Sequence, residues 1–179
     1  TKRTKLKPNV VFASKGLAQR LQAEGEASPA DLVLTVDISR LKQYADKGLF
    51  QPFVSTVLES NIPKNLRSKD NTWYGFSKRS RVIAVSKSLK NSNEITRFED
   101  LTDAKWSGKI CSRPGSHVYN RALLSSIIAA NGNEAAFAWA KGLVENFARS
   151  PRGNDRSQIK AIFSGECAIA LVNHYYYGK

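Results

Sequence analysis

Apolar and polar positions along this chain alternate with the two periods that are typical of helices and strands. In the first 50 residues, short apolar runs are each followed by a segment whose apolar side chains recur about one helical turn apart. The order strand, helix, strand, helix predicts an α/β fold with a parallel sheet. The predicted elements are a strand at Asn9–Ala13, a helix at Lys15–Glu24 capped by Ser14, a strand at Asp31–Val36 and a helix at Ile38–Asp46 capped by Asp37.

The same alternation returns after a loop-rich bridge that contains Pro52 and Pro63. We place the boundary between two lobes near Ser77–Arg81, which divides the chain into residues 1–78 and 79–179. The strands predicted beyond the bridge are Trp73–Ser77, Arg81–Ser86, Lys109–Ser112 and Cys167–Val172, and a short helical stretch is predicted at Phe98–Ala104. Three helices are predicted there: from Ser116 or His117 to Asn131, from Glu134 to Ala148, and one that Asn154 or Asp155 caps and that ends at Phe163.

Three consecutive tyrosines, Tyr175 to Tyr177, follow the last apolar run. If that strand ends at Asn173, the tyrosines lie on the turn beyond its carboxyl end, where open α/β sheets bind their ligands. A free phenol titrates near pH ~10 and is a poor acid or base near neutral pH. A hard, highly charged cation favours deprotonated oxygen ligands, so the cluster predicts a metal site, with ferric iron as the natural occupant. Alternatively, the rings form an aromatic wall that stacks on a sugar or a cationic ligand.

Tyr119 is the second candidate, because it falls in the first turn of a helix that starts just after a strand. The amino end of a helix stabilises negative charge, so it favours both a phenolate and a small anion that completes a metal's coordination shell. Arg113 and Ser116 are the candidate anion contacts. The alternative is structural: Ser116 only caps the helix, and Arg113 only points to water.

Composition narrows the classes of function. Lys and Arg number 28 against 15 Asp and Glu, which gives a formal net charge of +13. Such an excess occurs in nucleic-acid-binding proteins, but here the basic residues are spread along the chain without any recognisable nucleic-acid-binding motif. We therefore predict a basic, solvated surface and no nucleic-acid partner. The sequence contains no recognisable enzyme motif, so we predict a protein that is not an enzyme. It also contains no signal-peptide pattern, and none of its apolar runs reaches the ~18 residues that a membrane span needs.

Two cysteines, Cys111 and Cys167, fall in short apolar segments and have no partner at CxxC spacing. One interpretation is two buried thiols. The other is a disulfide between neighbouring strands, which requires an oxidising compartment. The spacing alone does not choose between them.

Four segments of the chain resemble bacterial periplasmic ferric-binding proteins, the substrate-binding components of iron ABC transporters. The cyanobacterial, tyrosine-rich type is the most similar, and the resemblance covers essentially the whole chain. The segments are Pro29 to Asp37 (PADLVLTVD), Trp73 to Val82 (WYGFSKRSRV), Leu101 to Ile110 (LTDAKWSGKI) and Asn173 to Tyr176 (NHYY).

The resemblance implies an α/β, two-lobed type II periplasmic binding protein fold whose first lobe is incomplete in this chain. It also implies a monomeric periplasmic protein that delivers its cargo to an inner-membrane ABC permease. Within that family, an alternative cargo is a small organic or anionic solute, with the tyrosines as a stacking wall.

By the same resemblance, Tyr119, Tyr175 and Tyr176 are the Fe³⁺ ligands from the second lobe, and Tyr177 is a packing residue. The family's ligand from its first strand would precede Thr1. The residues that could hold a carbonate-like anion, or lie just behind the ligands, are Arg79, Arg81, Arg113 and Ser116.

Two positions depart from the pattern of the family. Val36 stands where some members have a ligand glutamate, so the resemblance implies that this ligand is absent. Lys179 stands where the cyanobacterial type has an arginine near the site, so its role does not follow from the resemblance.

Overall fold

A computed structural model describes residues 4–13 and 16–176, and the chain divides into two compact units. The first unit comprises Thr1–Phe76 and the second Ser77–Lys179. The identity of these units with the predicted lobes, residues 1–78 and 79–179, stays a prediction.

The first unit contains three helices: α1 at Leu17–Glu24, α2 at Ile38–Asp46 and α3 at Thr56–Asn61. Helix α2 has the predicted bounds and the predicted cap, because the Asp37 carboxylate accepts a hydrogen bond from the Ser39 amide at 3.1 Å. Helix α1 begins after Gly16, two residues later than expected. The predicted cap Ser14 and the predicted first helical residue Lys15 lie outside the described residues.

The predicted strands Asn9–Ala13 and Asp31–Val36 are wrong, since both segments are irregular and solvent-exposed. Phe12, for example, is 92% exposed. A strand must satisfy its backbone hydrogen bonds with a neighbour, and no described residue of the first unit forms a ladder beside either segment. The predicted strand Trp73–Ser77 is reduced for the same reason to one isolated bridge, between Tyr74 and Arg67.

The second unit is built on a three-stranded sheet in the order β1–β3–β2, with β1 at Arg81–Val85, β2 at Ile110–Cys111 and β3 at Ile169–Asn173. The central strand β3 runs antiparallel to β1 and parallel to β2. All of β3 is buried, which explains why its residues up to Val172 are continuously apolar rather than alternating.

Two helices cover this sheet, α4 at Val118–Glu145 and α5 at Asp155–Phe163. Helix α4 is interrupted where the sequence predicts a stop, at Gly132, whose φ of 81° is a conformation that glycine adopts readily. The Asn154 side chain caps α5 by accepting from the Ser157 amide, as expected. Within the described ranges, no helix has both the length and the apolarity that a membrane crossing needs.

The predicted helical stretch at Phe98–Ala104 forms two short 3₁₀ turns, Phe98–Thr102 and Ala104–Trp106. The residues that pack together as the main hydrophobic core of the second unit include Leu101, Trp106, Ile110, Leu123, Ile127, Trp139, Leu143, Ile169 and Leu171.

A disulfide joins Cys111, in β2, to Cys167, which lies two residues before β3. Both cysteines are buried in a smaller apolar cluster on the sheet. The structure therefore supports the second of the two interpretations of the cysteine pair, and the link indicates an oxidising compartment.

Reduction of the Cys111–Cys167 disulfide is expected to destabilise the protein by about 2–4 kcal/mol, because the link restricts the unfolded chain. The cysteines are 56 residues apart, and a link that closes a loop of this length lowers the conformational entropy of the unfolded chain substantially. Denaturant unfolding of oxidised and dithiothreitol-treated protein, followed by tryptophan fluorescence, measures the effect. The double variant Cys111→Ala, Cys167→Ala serves as the control, since reductant should not change its midpoint. An equal midpoint for oxidised and reduced wild type would contradict the prediction.

Candidate metal centre

The end of the central strand places the tyrosines on a turn. Strand β3 ends at Asn173, one residue beyond the predicted end at Val172, and His174–Tyr176 form a 3₁₀ turn beyond it. His174 fixes this turn to the segment before β1, because its amide donates to the Ser80 carbonyl and its Nδ1 accepts from the Ser80 amide. The turn lies beyond the carboxyl end of β3, at the ligand-binding edge of an α/β sheet. Tyr177 and Lys179 lie outside the described residues.

The three phenols that the sequence singles out come together at this turn. The Tyr175 and Tyr176 ring centroids are 4.7 Å apart, with the ring planes tilted by 41°. The Tyr175 hydroxyl lies close enough to those of Tyr119 and Tyr176 that the three phenols influence one another's ionisation. Tyr119 enters from the first turn of α4, where its amide donates to Nδ1 of the N-cap residue His117 at 3.2 Å. The hydroxyls therefore converge, although their rings do not stack in parallel.

A cation lies directly against these phenols. The Arg79 guanidinium donates from Nη1 to the Tyr119 hydroxyl at 2.8 Å and sits 4.8 Å from the centroid of the Tyr119 ring. Arg79 also helps to lower the pKa of Tyr175. A positive charge at this distance favours the ionised form of a phenol.

The three phenols differ in acidity. Burial opposes ionisation of Tyr175, but hydrogen bonds from Asn173, Arg79, Tyr119 and Tyr176 outweigh it, so the pKa of Tyr175 is lowered. Burial raises the pKa of Tyr119 and that of Tyr176, and negative charge on Tyr175 raises both further. Tyr175 is therefore the first of the three to ionise, and the others resist a second proton loss until a cation compensates the charge.

Behind the phenols lies a buried ionic cluster that the sequence analysis did not foresee. The Asp155 carboxylate pairs with Arg81 at 2.7 Å and with Arg113 at 3.0 Å. Both guanidiniums lie close to the Tyr119 ring, at 5.9 and 4.9 Å from its centroid. The expectation that Arg113 only points to water is therefore wrong. Asp155 was explained as an ordinary residue at a helix start, and no sequence signal distinguishes it from one.

One asparagine connects this cluster to the phenols, and a second asparagine holds its two arginines. The Asn173 side-chain amide donates to the Tyr175 hydroxyl at 3.0 Å, and its backbone amide donates to Asp155 at 2.9 Å. Asn120 accepts from Arg81 and donates to the Arg113 carbonyl. Their positions next to Tyr119 and before the tyrosine run were visible in the sequence, but their partners were not.

Ser116 does not cap α4, so that structural alternative is wrong. The cap is His117, and Ser116 is exposed in the preceding turn. Its predicted contact with an anion stays a prediction.

In the described part of the chain, no group of three His, Cys, Asp or Glu side chains could hold a metal ion, so the phenols are the candidate ligands there.

Comparison with known proteins gives the family. Bacterial extracellular solute-binding proteins match residues 27–178. The chain belongs to this family.

Relatives of this solute-binding protein are iron proteins by name. It is 45% identical to iron uptake protein A1 of Synechocystis sp., over 100% of this chain and 50% of that protein. It is 27% identical to the Fe(3+)-binding periplasmic protein of Serratia marcescens, over 89% of this chain and 46% of that protein. The chain thus spans about half the length of these curated relatives.

A solved structure with the same fold is the Trichodesmium FutA (IdiA) protein in complex with iron and citrate. It superposes with a TM-score of 0.89 at 46% identity, over 98% of this chain and 56% of that one. The predicted α/β, type II periplasmic binding protein fold is confirmed, as is the predicted relationship to ferric-binding proteins.

Replacement of Arg79 by glutamine is expected to raise the pKa of Tyr119 and of Tyr175, because the variant loses a charge and a hydrogen-bond donor that favour the phenolates. Titration of the metal-free protein, followed by the near-ultraviolet absorbance of tyrosinate, measures the shift. Arg121→Gln is the matched control, since Arg121 lies exposed on α4, two residues from Tyr119 and on another side of the helix. Identical titration curves for Arg79→Gln and wild type would contradict the assigned role of Arg79.

Proposed function

We propose that this solute-binding protein binds ferric iron through the phenolate oxygens of Tyr119, Tyr175 and Tyr176. The observation that carries the proposal is the convergence of these three phenols beside Arg79. The similarity to an iron uptake protein and to a structure that contains iron supports the same cargo here.

The charge of the ligands favours a trivalent ion. Three phenolates carry three negative charges, which neutralise Fe³⁺, and each offers one hard oxygen donor. A divalent ion offsets less of the cost of removing three phenol protons. Because the pKa of Tyr119 and that of Tyr176 are raised in the metal-free site, we expect these two phenols to release their protons only when the ion binds. The cost of removing the phenol protons thus favours Fe³⁺ over divalent ions, which are weaker Lewis acids.

The alternative cargo, a small organic or anionic solute stacked on a wall of tyrosines, has less support. Tyr175 and Tyr176 are tilted against each other by 41°, and His174 meets the Tyr175 ring edge-on at 75°. Such rings present no common flat face to a ligand, whereas their hydroxyls meet at one place. A metal ion makes better use of this arrangement than a planar solute does.

We also infer the role of the whole protein. A solute-binding protein of this family captures its cargo outside the cytoplasm and presents it to a permease, so we assign a periplasmic location and an inner-membrane ABC permease as partner. The disulfide fits an oxidising compartment. We infer a monomeric carrier that performs no catalysis and binds no nucleic acid.

Iron binding is tested with the natural full-length protein. Addition of Fe³⁺ is expected to produce a visible phenolate-to-iron charge-transfer band. Each of Tyr119→Phe, Tyr175→Phe and Tyr176→Phe should weaken the band and lower iron affinity by more than about 100-fold, since loss of groups behind metal ligands already costs about 10–100-fold.

Tyr44→Phe is the matched control for these variants. Tyr44 is buried in the first unit against Phe50, so the change removes a tyrosine hydroxyl without touching the three phenols. Its spectrum and affinity should equal those of wild type. A folded wild-type protein that stays colourless with Fe³⁺, or phenylalanine variants that keep the full band, would refute the proposal.

A further inference from the structure

Asp155 is the most enclosed charge beside the phenols. It is the first residue of α5 and is only 1% exposed. Its Oδ2 accepts from Arg81 at 2.7 Å and from the Asn173 amide at 2.9 Å, and its Oδ1 accepts from Arg113 at 3.0 Å. A carboxylate with this set of donors is held by charge and by geometry together.

The two arginines around Asp155 need an anion. Their side chains are only 7% and 11% exposed, so water screens their mutual repulsion poorly. Burial lowers the pKa of Arg81, the Asp155 charge opposes that effect, and the charge of Arg113 adds to it. With no negative group between them, two neighbouring cations would be buried without compensation. Their Nε atoms are also buried without a hydrogen-bond partner among the described residues, so each retains a donor.

The Asp155 carboxylate is also connected to the candidate metal centre, through Asn173. Asp155 fixes the backbone of Asn173, the last residue of β3, and the Asn173 side chain donates to the Tyr175 hydroxyl at 3.0 Å. Any displacement of Asp155 would therefore move the residue that orients Tyr175.

We propose that Asp155 is a positioning residue that serves as a built-in anion, occupying the place between Arg81 and Arg113 that a free carbonate or phosphate would otherwise fill. The functional consequence is that iron binding needs no free anion at these two arginines. This consequence rests on the proposed iron site. It also means that removal of the Asp155 charge leaves an anion site behind.

The first test needs no iron, so it is independent of the proposed function. In metal-free, full-length protein, Asp155→Asn keeps the shape of the side chain but removes its charge. Bicarbonate or phosphate at about a hundred times its dissociation constant should then raise the Tm of the variant by about 3–4 °C. Wild type should show almost no such rise. The control Asp103→Asn removes an exposed carboxylate of the same unit, and it should behave like wild type.

The second test measures iron. Wild type should bind Fe³⁺, supplied from the same chelate stock throughout, equally well in bicarbonate-depleted buffer and with added bicarbonate. Asp155→Asn should bind at least about 10-fold more weakly in depleted buffer, in the range expected for a group behind metal ligands, and should recover on addition of bicarbonate. If wild type binds no iron but the anion-dependent Tm appears, the proposed function fails while the role of Asp155 stands.

A further variant keeps the proposal testable if Asp155→Asn does not fold. The double variant Asp155→Asn, Arg113→Gln removes one of the two cations, so it should fold and lose the dependence on anions. Failure of the double variant to fold would overturn the inference. The same conclusion follows if folded Asp155→Asn gains no stability from anions, or if wild type gains as much as the variant does.

Discussion

The Asp155 carboxylate holds the end of the central strand and two buried arginines in one cluster, and the geometry of the phenols depends on that cluster. Loss of one partner from a buried ion pair costs about 3–5 kcal/mol, because the other charge is left uncompensated. The same pair contributes little net stability over an apolar replacement. The main effect of the Asp155 ion pairs here is structural specificity, because they can form only when β3, α4 and α5 are arranged in one way around the tyrosine turn.

Around that fixed frame, the acidity of the phenols is uneven. Asn173 and Arg79 lower the pKa of Tyr175, whereas burial and the neighbouring Tyr175 raise the pKa of Tyr119 and that of Tyr176. A site of this kind carries limited negative charge when empty, so its three neighbouring oxygens repel one another little. It reaches full negative charge only together with a cation, so binding and proton release are coupled. Release of a bound cation would be favoured by any change that lets the phenols regain protons.

Local sequence patterns predicted the elements of the second unit well. The caps of α2 and α5, the interruption of α4 at Gly132 and the end of β3 at Asn173 all depend on neighbouring residues. Because the end of β3 decides where the tyrosines lie, the candidate site could be located from the sequence.

Contacts between distant residues could not be predicted in this way. The strands expected at Asn9–Ala13 and Asp31–Val36 have apolar sequences, but a strand also requires a partner, which no local pattern specifies. Asp155 has the sequence context of any acidic residue at the start of a helix. Its burial between Arg81 and Arg113, which are 74 and 42 residues away, exists only in the folded chain.

The central claim, that three phenolate oxygens hold one ferric ion, is tested most directly by anomalous diffraction at the iron edge from crystals of the iron-loaded, full-length protein. We predict a single strong peak within bonding distance of the hydroxyl oxygens of Tyr119, Tyr175 and Tyr176. A peak bound by other side chains, with these three hydroxyls turned away from the metal, would contradict the account.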